Sequence, residues 1–368
     1  MTAKRFLGLD GLRGVCALTV LLYHCKNFFY SGYTLPHGFL AVDVFFVLSG
    51  FVIALVYEEK LGAGNHTLQF LSNRARRLLP TYWLGAILNV AVFLGIAVSG
   101  ILFAGDSWWM IWLFVPLSTF FMVPDFITPD GTLYPGMEGV TWSLFVEWIA
   151  YLAYASGAFR FKTSTLLTVA IFGWALMAVA GYYTGEGWGT GGSRSTLFTI
   201  GMLRCIPAFA TGVVIYRIHQ HPFFQRLPVV HPGILFAAWV AISALPASGP
   251  TPTLDAVVVI VCCPVLIMLL IRSDHKAPAI CRRLGDMSYP LYVAHPGIIL
   301  LAHYTSIFGH RFDAPHPLDG LLVVGLCIAF AWMIMKTVAR ISTFRSIRDL
   351  LWNLSAGGIQ RQTMARPG

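Results

Sequence analysis

Apolar runs of about 17 to 25 residues recur along the whole chain, and the short segments between them hold nearly all of the charge. A run of that length crosses the hydrocarbon of a bilayer as a helix. In lipid, only a helix or a closed barrel satisfies the polar groups of its own backbone. The pattern therefore predicts an all-α polytopic membrane protein. Composition agrees: 57% of the 368 residues are hydrophobic and 11% charged, where a soluble chain carries about 25% charged residues. The formal charge of +9 does not point to nucleic acid, because the basic residues stand singly or in small groups at the ends of apolar runs. Five of the seven cysteines (Cys16, Cys205, Cys262, Cys263, Cys327) lie inside apolar runs. None has the spacing of a zinc site, so neither a structural disulfide nor a bound metal is expected.

About ten spans are predicted, at 12–29, 40–57, 80–102, 142–159, 164–183, 199–217, 232–247, 254–271, 288–307 and 319–338. The first run is read as a span and not as a cleaved signal, since Arg13 interrupts it and no small-residue cleavage site follows. An eleventh apolar segment, "WWMIWLFVPLSTFFMVP" (108–124), holds two prolines and a tryptophan cluster that suit an interfacial or re-entrant piece. If it does not cross, nearly every basic cluster falls on one side, as the positive-inside rule asks, and both termini are cytoplasmic. The expected division is an integral membrane domain over 1–353 and a disordered cytoplasmic tail over 354–368, in a multi-pass protein of the cell membrane.

The first run, "LDGLRGVCALTVLLYHCKNFF", keeps an arginine and a histidine. Arg13 and His24 are 11 residues apart, which is about 20° past three helical turns and about 16 Å along the axis. One stripe of one helix thus carries a cation at its inner mouth and an imidazole deep within, and ionisable groups in spans face a bundle interior or a wet cavity. The hairpin to the second span brings Asp43 to nearly the depth of His24, where a carboxylate would orient the ring. Glu147, with Ser143 on the same face, is expected about 9 Å below the outer end of its span, and Arg204 at similar depth. At the inner face, "FLSNRARRLLPTYW" presents Arg74, Arg76 and Arg77, whose planar donor arrays suit a phosphate-rich ligand. "CRRLGDMSYPLYVAHP" adds Arg282, Arg283, Ser288 and Tyr289 there. His295 lies deeper in that span, beside Pro296, which frees a carbonyl that the ring can bond.

These stretches, in this order, resemble acyltransferase family 3, integral membrane enzymes that O-acylate surface polysaccharides, lipid-linked sugars and macrolides. The family's arginine, ten residues, histidine pattern falls on Arg13 and His24. Its paired arginines fall on Arg74 and Arg77, leading into Pro80 and Tyr82. The resemblance implies an acyl-coenzyme A donor, acetyl-coenzyme A above all, drawn from the cytoplasm as a substrate and not as a bound cofactor. It also implies a glycan or other hydroxyl acceptor on the outer side. Arg13, Arg74, Arg77, Tyr82, Ser288 and Tyr289 are then the donor-binding residues, and His24, Asp43 and Glu147 the catalytic ones, with His24 as base or transient acyl carrier. Arg204 and Ser143 are candidate oxyanion donors. The family's frequent esterase-like domain has no counterpart in these residues, so the transfer is expected to finish within the membrane domain. A proton-coupled transporter of a polar solute needs similar intramembrane charges and is the alternative, although no internal repeat is found.

Overall fold

The computed structural model describes residues 5–29, 34–64, 67–98, 116–122, 141–184, 198–246, 252–304 and 317–364. Among them the regular elements are all helices: α1 Leu7–His24, α2 Ala41–Gly62, α3 Thr67–Val98, α4 Thr141–Ser156, α5 Thr163–Thr184, α6 Phe198–Ile218, α7 Pro222–Gln225, α8 Pro232–Ser243, α9 Pro252–Val257, α10 Cys263–Arg272, α11 Ile280–Tyr304 and α12 Pro317–Met364. A π-helical turn over Val258–Cys262 joins α9 to α10. Six helical stretches are long and apolar enough to cross a membrane: Gly38–Gly62, Thr67–Ile96, Thr163–Tyr183, Gly201–Ile218, Thr253–Arg272 and Leu318–Ile341. The remaining predicted runs also fall on helices, but these are shorter or interrupted by charge. Helix α12 continues to Met364, into the stretch read as a tail. The segment 108–124 and the loop after it lie outside the described residues except for 116–122.

Helix α1 begins and ends five residues earlier than the predicted run. Its first free amides are met from another helix connection, where the Asp274 carboxylate accepts from the Gly8 N–H at 2.8 Å, which satisfies an otherwise orphaned donor. At the other end the chain turns into a 3-10 helix at Lys26–Phe28. His24 is therefore the last residue of α1 and not an interior one.

Side-chain contacts establish the directions of the helices. Asp10 lies against Gly285, Gly14 against Leu284 and His24 against His295, so α1 and α11 run parallel. Asp43 pairs with Arg204 and Glu58 with Arg217, so α2 and α6 also run parallel. Thr67 donates to the Ala155 carbonyl, Arg74 to the Tyr151 hydroxyl, and Tyr82 reaches Thr141. Helices α3 and α4 are thus antiparallel.

That pairing sets the level of Glu147 against α3. Thr141 stands beside Tyr82, 16 residues before α3 ends, so α4 starts about 24 Å short of that end. It covers only the first half of α3, and Glu147, six residues into α4, lies level with the arginines of α3.

Glycines permit the closest approaches, as small residues do where helices have no hydrophobic drive to associate. A Cβ on Gly50 would stand 2.0 Å from the Phe209 carbonyl oxygen, and one on Gly212 would stand 2.0 Å from that of Val47. On the α1–α11 side, a Cβ on Gly14 would meet Leu284 Cβ at 2.4 Å. None of these three contacts tolerates a side chain.

Candidate active site

Two cavities share a wall inside the bundle. The inner one, about 100 Å³, is bounded by Phe45, Phe46 and Ser49 of α2, Arg74 and Arg77 of α3, Ser143, Glu147 and Tyr151 of α4, and Ser288, Tyr289 and Tyr292 of α11. The second, about 450 Å³, opens past Arg5, Asp10 and Asp286. Arg13, Arg77 and Tyr289 line both, so the two adjoin and together mark an arginine-lined path. At its mouth Arg5 bridges Asp10 of α1 and Asp286 of α11.

The three predicted phosphate-binding arginines divide into two kinds. Arg74 is buried, donates to the Tyr151 hydroxyl at 2.7 Å, and has its guanidinium carbon 4.7 Å from the centre of the same ring. Tyr151 and Ser49 both donate to Glu147 Oε1. Arg74 and Glu147 are thus the ends of one hydrogen-bonded chain in the cavity wall, and Glu147 compensates a buried cation. Arg13 and Arg77 make no hydrogen bond or ion pair among the described residues. They face the path, and Arg77 is close enough to both Arg13 and Arg74 to be repelled by them. An anion placed between them relieves that repulsion and takes up their free donors.

The other three expected donor-site residues fall in two places. Ser288 and Tyr289 line the inner cavity, the Ser288 hydroxyl donating to the Gly285 carbonyl at 2.7 Å. Tyr82 lines neither cavity; its hydroxyl donates to the Thr119 carbonyl. Tyr82 and Trp83, the latter stacked on Phe120 at 5.4 Å, seat the 116–122 segment on α3.

The expected Asp43–His24 pair does not form. Asp43 is fully buried and holds Arg204 through two bonds, Nη2 to Oδ2 at 2.6 Å and Nε to Oδ1 at 3.1 Å. With both oxygens engaged by a guanidinium that is itself 2% exposed, the carboxylate is committed to charge neutralisation. The same bonds occupy Arg204, which removes it as a free oxyanion donor. Ser143 shares its hydroxyl with that of Tyr292 at 2.7 Å, at the cavity wall.

His24 instead meets His295. Its Nδ1 lies 2.9 Å from His295 Nε2, and His295 Nδ1 lies 3.1 Å from the Leu291 carbonyl. A carbonyl only accepts, so His295 Nδ1 carries a proton and its Nε2 presents a lone pair. His24 Nδ1 must then be the donor, which leaves His24 Nε2 unprotonated. Two buried bonds thus select one tautomer of His24, with its basic nitrogen pointing away from the pair. His24 is half-buried and His295 fully so. Tyr292, 5.9 Å from His295 ring to ring and 5.7 Å from Phe45, stands between the inner cavity and the two imidazoles.

A family model described as an acyltransferase domain, that of acyltransferase family 3, matches residues 6–336. Among curated relatives, "Protein 2 in picA locus" of Rhizobium radiobacter is 36% identical over 186 residues, 48% of this chain and 95% of that protein. "Exopolysaccharide production protein ExoZ" of Rhizobium meliloti is 29% identical over 140 residues, 38% of this chain and 39% of that protein. "O-acetyltransferase OatA" of Staphylococcus aureus is 31% identical over 233 residues, 57% of this chain and 35% of that protein. The chain thus spans well under half the length of the last two. No solved structure matches.

Proposed function

The chain belongs to acyltransferase family 3, and on that premise we propose that it moves an acetyl group from cytoplasmic acetyl-coenzyme A to a hydroxyl of an extracytoplasmic glycan or lipid-linked sugar. In this reading the ten apolar runs of the sequence cross the cell membrane, and the arginine end of the bundle and both termini face the cytoplasm. The names of two relatives, an exopolysaccharide production protein and an O-acetyltransferase, support acetyl as the group and a polysaccharide as the acceptor class.

The observation that carries the reading is helix α1 itself. It holds Arg13 in the wall of an arginine-lined path and, 11 residues on, ends in an imidazole held as a base. Those two points are about 16 Å apart. The donor's phosphates dock on Arg13 and Arg77, and its pantetheine arm enters the inner cavity towards Tyr292. His24 lies level with His295, nine residues before α11 ends, or about 14 Å from that end. An acceptor entering from outside meets the thioester there.

The acceptor oxygen attacks the thioester carbonyl carbon while His24 Nε2 takes its proton. The tetrahedral intermediate collapses with cleavage of the carbon–sulfur bond, and the imidazolium returns the proton to the departing sulfur. The products are the ester and free coenzyme A. As His24 gains charge, its Nδ1–H bond to His295 becomes charge-assisted and strengthens. His295 does the orienting work that a carboxylate does in a hydrolytic triad, without adding a negative charge. Arg74, Tyr151, Glu147 and Ser49 shape the cavity wall against which the thioester arm is held.

The test is free-thiol release by purified protein supplied with acetyl-coenzyme A, slow alone and faster with acceptor. His24→Ala is expected to abolish transfer while acetyl-coenzyme A still binds. Substantial transfer by folded His24→Ala protein overturns the catalytic role. Mass spectrometry of surface glycans from cells with and without the gene identifies the acceptor.

A further inference from the structure

From the way α3 holds the turn of α11 that carries His295, we infer that Asn89 is a positioning residue for the imidazole pair: its carboxamide is spliced into α11 and holds open the turn from which His295 reaches His24. The inference rests on the catalytic reading of His24 above.

In an uninterrupted helix the Val293 carbonyl accepts from the Gly297 N–H. Here the buried Asn89 side chain takes both groups. Its Nδ2 donates to the Val293 carbonyl at 3.1 Å, and its Oδ1 accepts from the Gly297 N–H at 2.8 Å. One residue earlier in the ladder, Pro296 has no N–H to give to the Tyr292 carbonyl, and that carbonyl lies beside the His295 imidazole. Two consecutive rungs are thus altered, one by a missing donor and one by an inserted amide, and His295 lies between them. Within this turn His295 Nδ1 bonds the Leu291 carbonyl at 3.1 Å, which leaves its Nε2 to accept from His24.

The surroundings are built for the insertion. A Cβ on Gly297 would fall 2.3 Å from Asn89 Oδ1, and one on Gly85, a turn before Asn89 on α3, would fall 2.8 Å from the Val293 carbonyl oxygen. The glycines at both positions give the carboxamide its place and let the two backbones approach. An aliphatic residue at 89 would leave the Val293 and Gly297 groups to bond each other. The helix would close and the His295 ring would move with it, without leaving a polar group unpaired.

That last point separates positioning from mere structure. In Asn89→Ala the helix recovers its own rung, so the folded protein and its donor path are retained while His24 loses its tautomer. The expected result is a fall in kcat on the order of 10²-fold, the scale of a misplacement of about 1 Å, with the KM for acetyl-coenzyme A unchanged. In protein labelled with ¹⁵N at histidine, nuclear magnetic resonance should show His24 as the Nδ1–H tautomer in the native chain and as a mixture in Asn89→Ala. Asn89→Asp, equal in size but without the Nδ2 donor, serves as the second variant and should show the same split if the alanine variant fails to fold. The inference is overturned if either folded variant keeps native kcat, or if kcat falls while the histidine signals stay native. If His24→Ala itself retains transfer, the catalytic reading fails first, and the two failures are told apart.

Discussion

Asp43 was expected to orient the catalytic imidazole, and its actual partner makes that role testable against a structural one. The perturbation is Asp43→Asn, which preserves shape and removes the charge. Arg204 is 2% exposed and Asp43 0%, so the substitution strands a guanidinium where water cannot reach it. Removing one member of a buried, hydrogen-bonded ion pair costs about 3–5 kcal/mol. Asparagine keeps one acceptor for the guanidinium and belongs at the lower end of that range, whereas Asp43→Ala, which also opens a void, belongs at the upper end. Against a typical total of about 5–15 kcal/mol, either is a severe loss. Replacing both partners, as in Asp43→Leu with Arg204→Met, removes the stranded charge and should recover most of the stability, since such swaps are often neutral or stabilising by about 1–4 kcal/mol. The assay is thermal unfolding in detergent alongside single-turnover transfer per folded molecule. The structure predicts that stability falls and then recovers in the double variant, while transfer per folded molecule stays within an order of magnitude of native. The reasoning is refuted if Asp43→Asn is as stable as the native protein yet loses transfer by about 10⁴-fold, the loss seen when a triad carboxylate is neutralised.

Arg77→Ala and Arg13→Ala should each raise the KM for acetyl-coenzyme A with little change in kcat, because contacts far from the reacting carbon supply uniform binding; an unchanged KM in both would remove them from the donor site. Arg74→Ala should instead destabilise the fold, as it leaves Tyr151 and a half-buried Glu147 uncompensated, and Glu147→Gln made with it should restore part of the melting temperature; a separate loss from each change would count against the shared network. Tyr82→Phe should leave donor affinity native and cost about 1 kcal/mol of stability, the worth of one buried hydrogen bond, so a weakened donor in that variant would return Tyr82 to the binding site. Gly50→Ala should abolish accumulation of folded protein, because its Cβ would meet the Phe209 carbonyl at 2.0 Å; normal yield and melting would show that α2 and α6 can separate without penalty.

Much of this protein is written in short-range pattern. Among the described residues the apolar runs fall on helices, since the cost of an unsatisfied backbone in lipid leaves a long apolar run little other choice. Helical periodicity placed Arg13 and His24 on one face of α1, because the angle and rise between two residues of one helix do not depend on what surrounds it. The paired arginines were legible for the same reason, as was His295 beside Pro296, although its weight was underestimated.

Which residues meet across helices was not legible, because that depends on the direction, offset and closeness of approach of separate helices. Equal counting from helix ends put Asp43 and Glu147 level with His24, but α1 begins before Asp10 and α4 starts opposite Tyr82, about 24 Å from the end of α3. These offsets hand Asp43 to Arg204 and Glu147 to Tyr151 and Ser49. The glycines that let α1, α3 and α11 touch bring His24 to His295 and Asn89 into the broken turn. Local sequence thus determines what each helix carries on each face. The tertiary structure alone decides the partners, because a buried donor or charge pairs with whatever the packing places within about 3 Å.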